Sequence, residues 1–158
     1  MEYTSFDKAA DIIAQTGRGA ELVKEDIKSA FRLLLICPKD FELLGIKFEG
    51  KDYLDKCLPM GIRNAPAYFE KFSTFIEYCV KVRSGSDRII HYMDYFLCIG
   101  SMRPGEVPCH NVVQALKLVC EEIRVPIVEE KIEGPIIRLT FLGLEFDSNF
   151  MQIRVPPR

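Results

Sequence analysis

The eleven residues from Ile89 to Ile99, IIHYMDYFLCI, constrain this chain more than any other stretch. They form an almost unbroken apolar run, rich in β-branched and aromatic side chains, long enough for two short strands. One acid, Asp94, stands at the middle. Burying a lone carboxylate is costly unless it is paired or holds a cation. Asp is also common where a chain turns. A surface hairpin bent at Asp94 and a functional carboxylate held in a core therefore stand side by side as readings.

Composition narrows the class. A chain of 158 residues suits one domain with a real core. Its 48% hydrophobic and 28% charged residues argue against disorder. A formal net charge of −2 and a pI near 5.8 count against a self-sufficient nucleic-acid binder, which usually carries a basic surplus. The six cysteines, at 37, 57, 79, 98, 109 and 120, include no C-x-x-C pair and lie mostly in apolar runs. They read as reduced core thiols, with neither a disulfide frame nor a zinc site. No charged-then-apolar leader and no apolar run near membrane-spanning length is visible. The expectation is a soluble intracellular chain, cytoplasmic or nuclear, not secreted and without a membrane partner.

Along the chain, Thr4 to Asp7 resembles a helix start, with Ala9, Ile12 and Ile13 as its apolar face and Gly17 and Gly19 ending it. Leu22-Val23-Lys24 reads as a strand running into Asp26. Ile27 to Leu35 is mostly apolar, and Pro38 closes it. Phe41 to Phe48 and Tyr53 to Leu58 predict a hairpin about Glu49-Gly50-Lys51. A helix is expected from about Ala65, with Pro66 in its first turn. Phe69, Phe72, Ile76 and Cys79 give it one apolar face, and it stops by Ser84-Gly85-Ser86. A second helix, about Asn111 to Arg124, presents Val112, Leu116, Val119 and Ile123. After Pro126 come a charged segment, a turn around Gly134-Pro135, a strand from Leu139 to Phe146, a turn at Ser148-Asn149 and a short strand from Met151 to Val155. The fold class is α+β.

Asp26 and Asp94 each stand at the edge of an apolar strand. On neighbouring strands they would converge, and Mg²⁺ favours one or two carboxylates together with substrate phosphates. Such an arrangement suits in-line phosphoryl chemistry. Two acids alone do not establish it; the sequence around them adds more. Asp26-Ile27-Lys28-Ser29-Ala30-Phe31, then Leu58 to Pro66 (LPMGIRNAP), then Tyr92-Met93-Asp94-Tyr95, then Glu130-Lys131, then Phe141-Leu142-Gly143-Leu144 stand in this order. The five blocks, over roughly residues 20 to 147, resemble in order and spacing the motifs of the reverse transcriptase palm. Their wording is most similar to the polymerases of DIRS-type (tyrosine-recombinase) retrotransposons.

The resemblance implies an RNA-directed DNA polymerase palm: an antiparallel sheet packed on two helices with part of a fingers hairpin. Residues 1–25 would be a lead-in helix and strand, 26–147 the palm, and 148–158 a terminal strand and tail. It implies Mg²⁺ or Mn²⁺ as cofactor, held by Asp26, the Ile27 carbonyl and Asp94. Ala30, Phe31, Met60 and Gly61 would line the nucleotide site, with Phe31 excluding a 2′-OH. On residue type alone, Phe31 is a core aromatic. Lys131 would be the general acid on the leaving group, although a lone Lys in a charged loop is usually solvated. Arg63 would touch backbone phosphate or simply solvent. Phe141, Leu142 and Gly143 would form a hairpin gripping the primer end, and the partners would be an RNA or DNA template-primer and a dNTP.

The sequence departs from the family at Tyr95, where a second aspartate is usual. A phenol is neutral at physiological pH and a poor Mg²⁺ ligand. Met60 stands where many relatives have Gln. The upstream fingers, the thumb and RNase H are expected to be absent, leaving apolar surface that favours self-association. Weak or no activity is therefore expected of this chain. The alternative reading is a non-catalytic, domesticated palm that binds nucleic acid or protein.

Overall fold

A computed structural model describes residues 3–157; Met1, Glu2 and Arg158, at the two ends of the expected lead-in and tail, lie outside the described residues. Helix α1 (Phe6–Thr16) leads into strand β1 (Glu21–Asp26), and 3₁₀ turns follow at Ala30–Leu33 and Pro38–Leu44. Next come the hairpin β2 (Gly45–Phe48) and β3 (Lys51–Leu54), helix α2 (Ala65–Ser84), and strands β4 (Ile89–Tyr92) and β5 (Tyr95–Gly100). Helix α3 (Cys109–Glu122), a 3₁₀ turn at Glu129–Lys131, and strands β6 (Glu133–Ile136), β7 (Arg138–Phe141), β8 (Leu144–Asp147) and β9 (Gln152–Arg154) complete the order. The expected α+β class holds, and every strand pairing is antiparallel.

The central sheet has the order β4-β5-β1-β6. Side chains alternate across a strand, so β5 serves two cores. Phe96 and Cys98 join Val23 and Ile89 against α2 and α3. Leu97 and Ile99 join Leu22 and Ile90 against α1 and the β7–β8 hairpin. This double burial is why Ile89–Ile99 is apolar at successive positions instead of alternating. Each fully buried large side chain in these layers, such as Phe69, Phe96 or Ile76, contributes about 1.5–3 kcal/mol. Gly85, in the left-handed region at φ 67°, ends α2 and donates its N–H to the Lys81 carbonyl.

The structure corrects several expectations. Phe41–Leu44 is not strand: Pro38 fixes φ at the start of a 3₁₀ run that lasts to Leu44, so β2 begins only at Gly45. β3 ends at Leu54, short of Leu58. The Gly134-Pro135 pair lies inside a strand, β6, at the sheet edge where its register with β1 shifts, a place in a sheet where Pro is tolerated. The single strand expected over Leu139–Phe146 is a hairpin turning at Leu142 and Gly143, both at positive φ, as the family resemblance implied. Ile123 falls just past α3 and is partly exposed, outside the predicted core face. Cys98, Cys109 and Cys120 are buried free thiols, while Cys37 is exposed. No helix among the described residues is long and apolar enough to cross a membrane.

Two positions show how tightly the central layer is set. A Cβ on Gly100 would lie 1.8 Å from the backbone nitrogen of Cys109, because the end of β5 abuts the start of α3. Gly100→Ala is expected to cost about 3 kcal/mol in urea unfolding. Glu25, buried on the same sheet face as Val23, has no hydrogen-bond partner among the described residues on either carboxyl oxygen. Burial, opposed by the Lys117 charge and aided by Glu129, pushes its carboxyl up to about 7. Between pH 4.5 and about 7 the folded chain keeps a proton that the unfolded chain has released. Stability therefore falls as pH rises through that window, by roughly 3 kcal/mol in all. Glu25→Gln is expected to remove this slope in urea titrations run across the window.

Candidate active site

The β1–β5 ladder places residue 26 opposite residue 95. Asp26 ends β1 and is buried; Asp94 sits in the two-residue turn between β4 and β5, half-buried. The Ile27 N–H donates to the Asp94 carbonyl at 2.9 Å and the Val128 N–H to the Asp26 carbonyl at 2.9 Å. The first bond stitches the turn to the end of β1, and the second ties the segment that carries Lys131 to the same end. The two acids, 68 positions apart in sequence, thus become neighbours. Burial first, and then the adjacent Asp26 carboxylate, raises the Asp94 carboxyl above its ordinary value, with Lys131 acting in the opposite direction. Lys131 Nζ donates to Asp26 Oδ2 at 2.8 Å. That bond and the Asp26 charge raise the Lys131 ammonium above its usual value.

Asp26, Asp94 and Lys131 therefore share one end of the central sheet, and Tyr95, partly exposed, is beside them. No group of three or more His, Cys, Asp or Glu suited to a metal is present among the described residues. The donor set is two carboxylates, with the Ile27 carbonyl next to them in the chain. It fits a hard divalent ion that keeps waters and takes substrate phosphates, the habit of Mg²⁺. The Lys131 ammonium now occupies one carboxylate oxygen of that set.

The other expected residues are distributed around this end. Ser29 and Ala30, directly after β1, have φ of 67° and 31°, and such strained backbone clusters at functional sites. Phe31 is half-buried, edge-on to Phe69 of α2 with centroids 5.2 Å apart. The ring is thus packed as a core aromatic at the rim of the site. Met60 is 75% exposed in the loop before α2. A Cβ on Gly61 would meet nothing within 4 Å, so its φ of 93°, and not space, demands glycine there. Phe141 is buried in the second core, so Leu142 and Gly143 alone present the β7–β8 turn. That turn lines a cavity shared with Lys24, Tyr92 and Tyr95, and Lys24 Nζ donates to the Thr140 carbonyl at 3.0 Å.

A buried polar cluster escaped the sequence reading. His91 of β4 sits between Glu70 and Glu77 of α2, with Nε2 2.9 Å from Glu70 Oε1 and Nδ1 against Glu77 Oε2. All three residues are buried. Lys81 Nζ also donates to Glu77 Oε1 at 2.6 Å. Burial raises the Glu77 carboxyl, but the bonds from His91 and Lys81 outweigh it and leave the group below its ordinary value. One signal was present in the sequence: Glu70 and Glu77 adjoin Phe69 and Ile76 at a seven-residue spacing, on the side of the helix meant for the core.

An acid held above its ordinary value destabilises the fold once the unfolded chain ionises. Asp94→Asn is therefore expected to raise the melting temperature at pH 7. The gain should vanish as pH falls below the unfolded carboxylate value, as thermal melts across the acid range would read.

No protein-family model and no curated protein matches the chain. Solved structures do. The chain resembles foamy viral protease-reverse transcriptase bound to double-stranded DNA with a TM-score of 0.69 and 18% identity, over 84% of this chain and 22% of that one. The same viral protein bound to an RNA/DNA hybrid gives a TM-score of 0.62 and 17% identity, over 87% and 18% of the two chains. A mutant of the prototype foamy virus protein gives 0.66 and 21%, over 88% and 18%. The chain thus spans about a fifth of the length of these proteins. In fold, it is a reverse transcriptase palm-like α+β domain.

Proposed function

We propose that this chain is the palm of an RNA-directed DNA polymerase derived from a DIRS-type retrotransposon, with little activity by itself. The observation that carries the reading is the meeting of Asp26 and Asp94 at the ends of paired strands. It is supported by five motif blocks standing in palm order. Asp26, Asp94 and the Ile27 carbonyl would hold Mg²⁺ or Mn²⁺. A divalent ion held there would supply stabilisation of the charge that develops on the oxygens of nucleotidyl transfer. Lys131 keeps a proton on Nζ within reach of that oxygen set and would deliver it to the pyrophosphate. Ala30, Phe31, Met60 and Gly61 would border the dNTP. Phe141 sets the hairpin from the core while Leu142 and Gly143 would meet the primer end of an RNA or DNA template-primer. Such a polymerase acts inside the cell.

Tyr95 supports a second reading, a non-catalytic palm kept for binding nucleic acid or protein. A neutral phenol replaces a negative charge at the site, and loss of one well-placed electrostatic group costs about 10²–10³ in rate. Exposed Leu35, Leu43, Phe48 and Met60 add apolar surface for a protein partner or a second copy. Primer extension on an RNA template with Mg²⁺ or Mn²⁺, using the chain within its full reading frame, separates the two. Tyr95→Asp is expected to raise incorporation by about 10²-fold or more, and Asp26→Asn to abolish it. No incorporation by Tyr95→Asp, with nucleic acid still bound, would favour the binding module. Recombinase-coding sequence in the adjoining DNA would test the DIRS origin.

A further inference from the structure

We infer that His91 is a positioning residue: clamped between two carboxylates of α2, it fixes where the β4–β5 turn carries Asp94. The inference rests on reading Asp26 and Asp94 as a cation site. Glu70, Ser73 and Glu77 follow at steps of three and four and so share one face of α2. Each reaches the hairpin. Glu70 and Glu77 take the two ring nitrogens of His91, and Ser73 Oγ donates to the Met93 carbonyl at 2.6 Å. Met93, the residue before Asp94, has φ 55°, a conformation that non-glycine residues adopt rarely and only when their surroundings impose it. The two-residue turn calls for a positive φ there, and the Ser73 bond ties that strained residue to α2 just behind the site.

The chemistry of the clamp is specific. Each ring nitrogen lies at a carboxyl oxygen, Nε2 at Glu70 and Nδ1 at Glu77, so the imidazole is held from both edges and cannot rotate without breaking a contact. Lys81 also donates to Glu77, so four side chains are linked in one layer between α2 and β4. The Phe96 ring of β5, 5.6 Å away, packs beside the imidazole. Glu70 Oε2 has no partner among the described residues, so the contact between His91 and Oε1 is what orients that carboxyl group. Removing the ring leaves two buried carboxylates facing a gap, and the turn loses its register on α2.

The test uses Mn²⁺ alone as probe, followed by the paramagnetic resonance of the free ion, together with amide resonances of Met93 and Asp94. Asp26→Asn, which should abolish binding, identifies the site. His91→Gln and Glu70→Gln are expected to weaken Mn²⁺ by about 10–100-fold, as outer partners of metal ligands do, and to shift both amides. If His91→Gln does not fold, Glu70→Gln and Ser73→Ala carry the same readouts. Folded variants with unchanged Mn²⁺ affinity and unchanged turn amides would overturn the inference. If the wild type binds no Mn²⁺, the cation reading fails and the amides decide: shifted, the clamp stands; unmoved, it falls.

Discussion

The antiparallel ladder between β1 and β5 is the interaction on which the rest depends. It runs from the Glu21–Gly100 pair to the Asp26–Tyr95 pair without a break, and it is covered on both faces. A one-residue slip would turn Phe96 and Cys98 toward the α1 layer and Leu97 and Ile99 toward α2 and α3, spoiling both cores. Register is therefore fixed by packing along the whole strand. Its last step sets Asp26 beside the Asp94 turn, so the geometry of the site follows from hydrophobic burial several residues away.

Around that ladder the protein holds charge in places where water is scarce. Asp26 is buried and leans on Lys131; Asp94 is kept above its ordinary value; Glu25, the neighbour of Asp26, has no hydrogen-bond partner among the described residues. Each of these costs stability that an apolar residue would not. The Glu70–His91–Glu77 cluster is buried as well. Such concentrations of strain and buried charge at one end of a sheet are expected where a site is kept at the expense of the fold. Lys131 links the two themes, because its ammonium stands where a divalent ion would draw on Asp26.

Local signals in the sequence located most elements. The three-and-four spacing of Phe69, Phe72, Ile76 and Cys79 gave α2, Gly85 its end, and Glu49-Gly50 the β2–β3 turn, both of whose residues have positive φ. The failures have physical causes. Phe41 to Leu44 is apolar enough for a strand, but Pro38 starts a 3₁₀ run, and the four residues lack a two-residue alternation. Gly134-Pro135 looks like a turn unless its edge partner β1 is known. Leu142 at positive φ is tolerated only because the hairpin around it pairs from Arg138 to Asp147. Of the candidate site, motif order singled out Asp26, Asp94, Lys131 and Tyr95, which lie together in space, whereas the burial of Phe141 in the second core became visible only in the fold.

By itself the sequence determined the class of the fold, the positions of its helices, the apolar hairpin and the identity of the two acids, because periodicity and turn chemistry act between residues close in the chain. Only the tertiary structure decided that β6 closes the sheet, that Lys131 bonds Asp26 across 105 positions, and that His91 joins two glutamates of α2. Those contacts depend on which layers stack and in what register. A lone His in an apolar run and two Glu on a helix carry no mark of each other until burial removes water and makes each the other's partner.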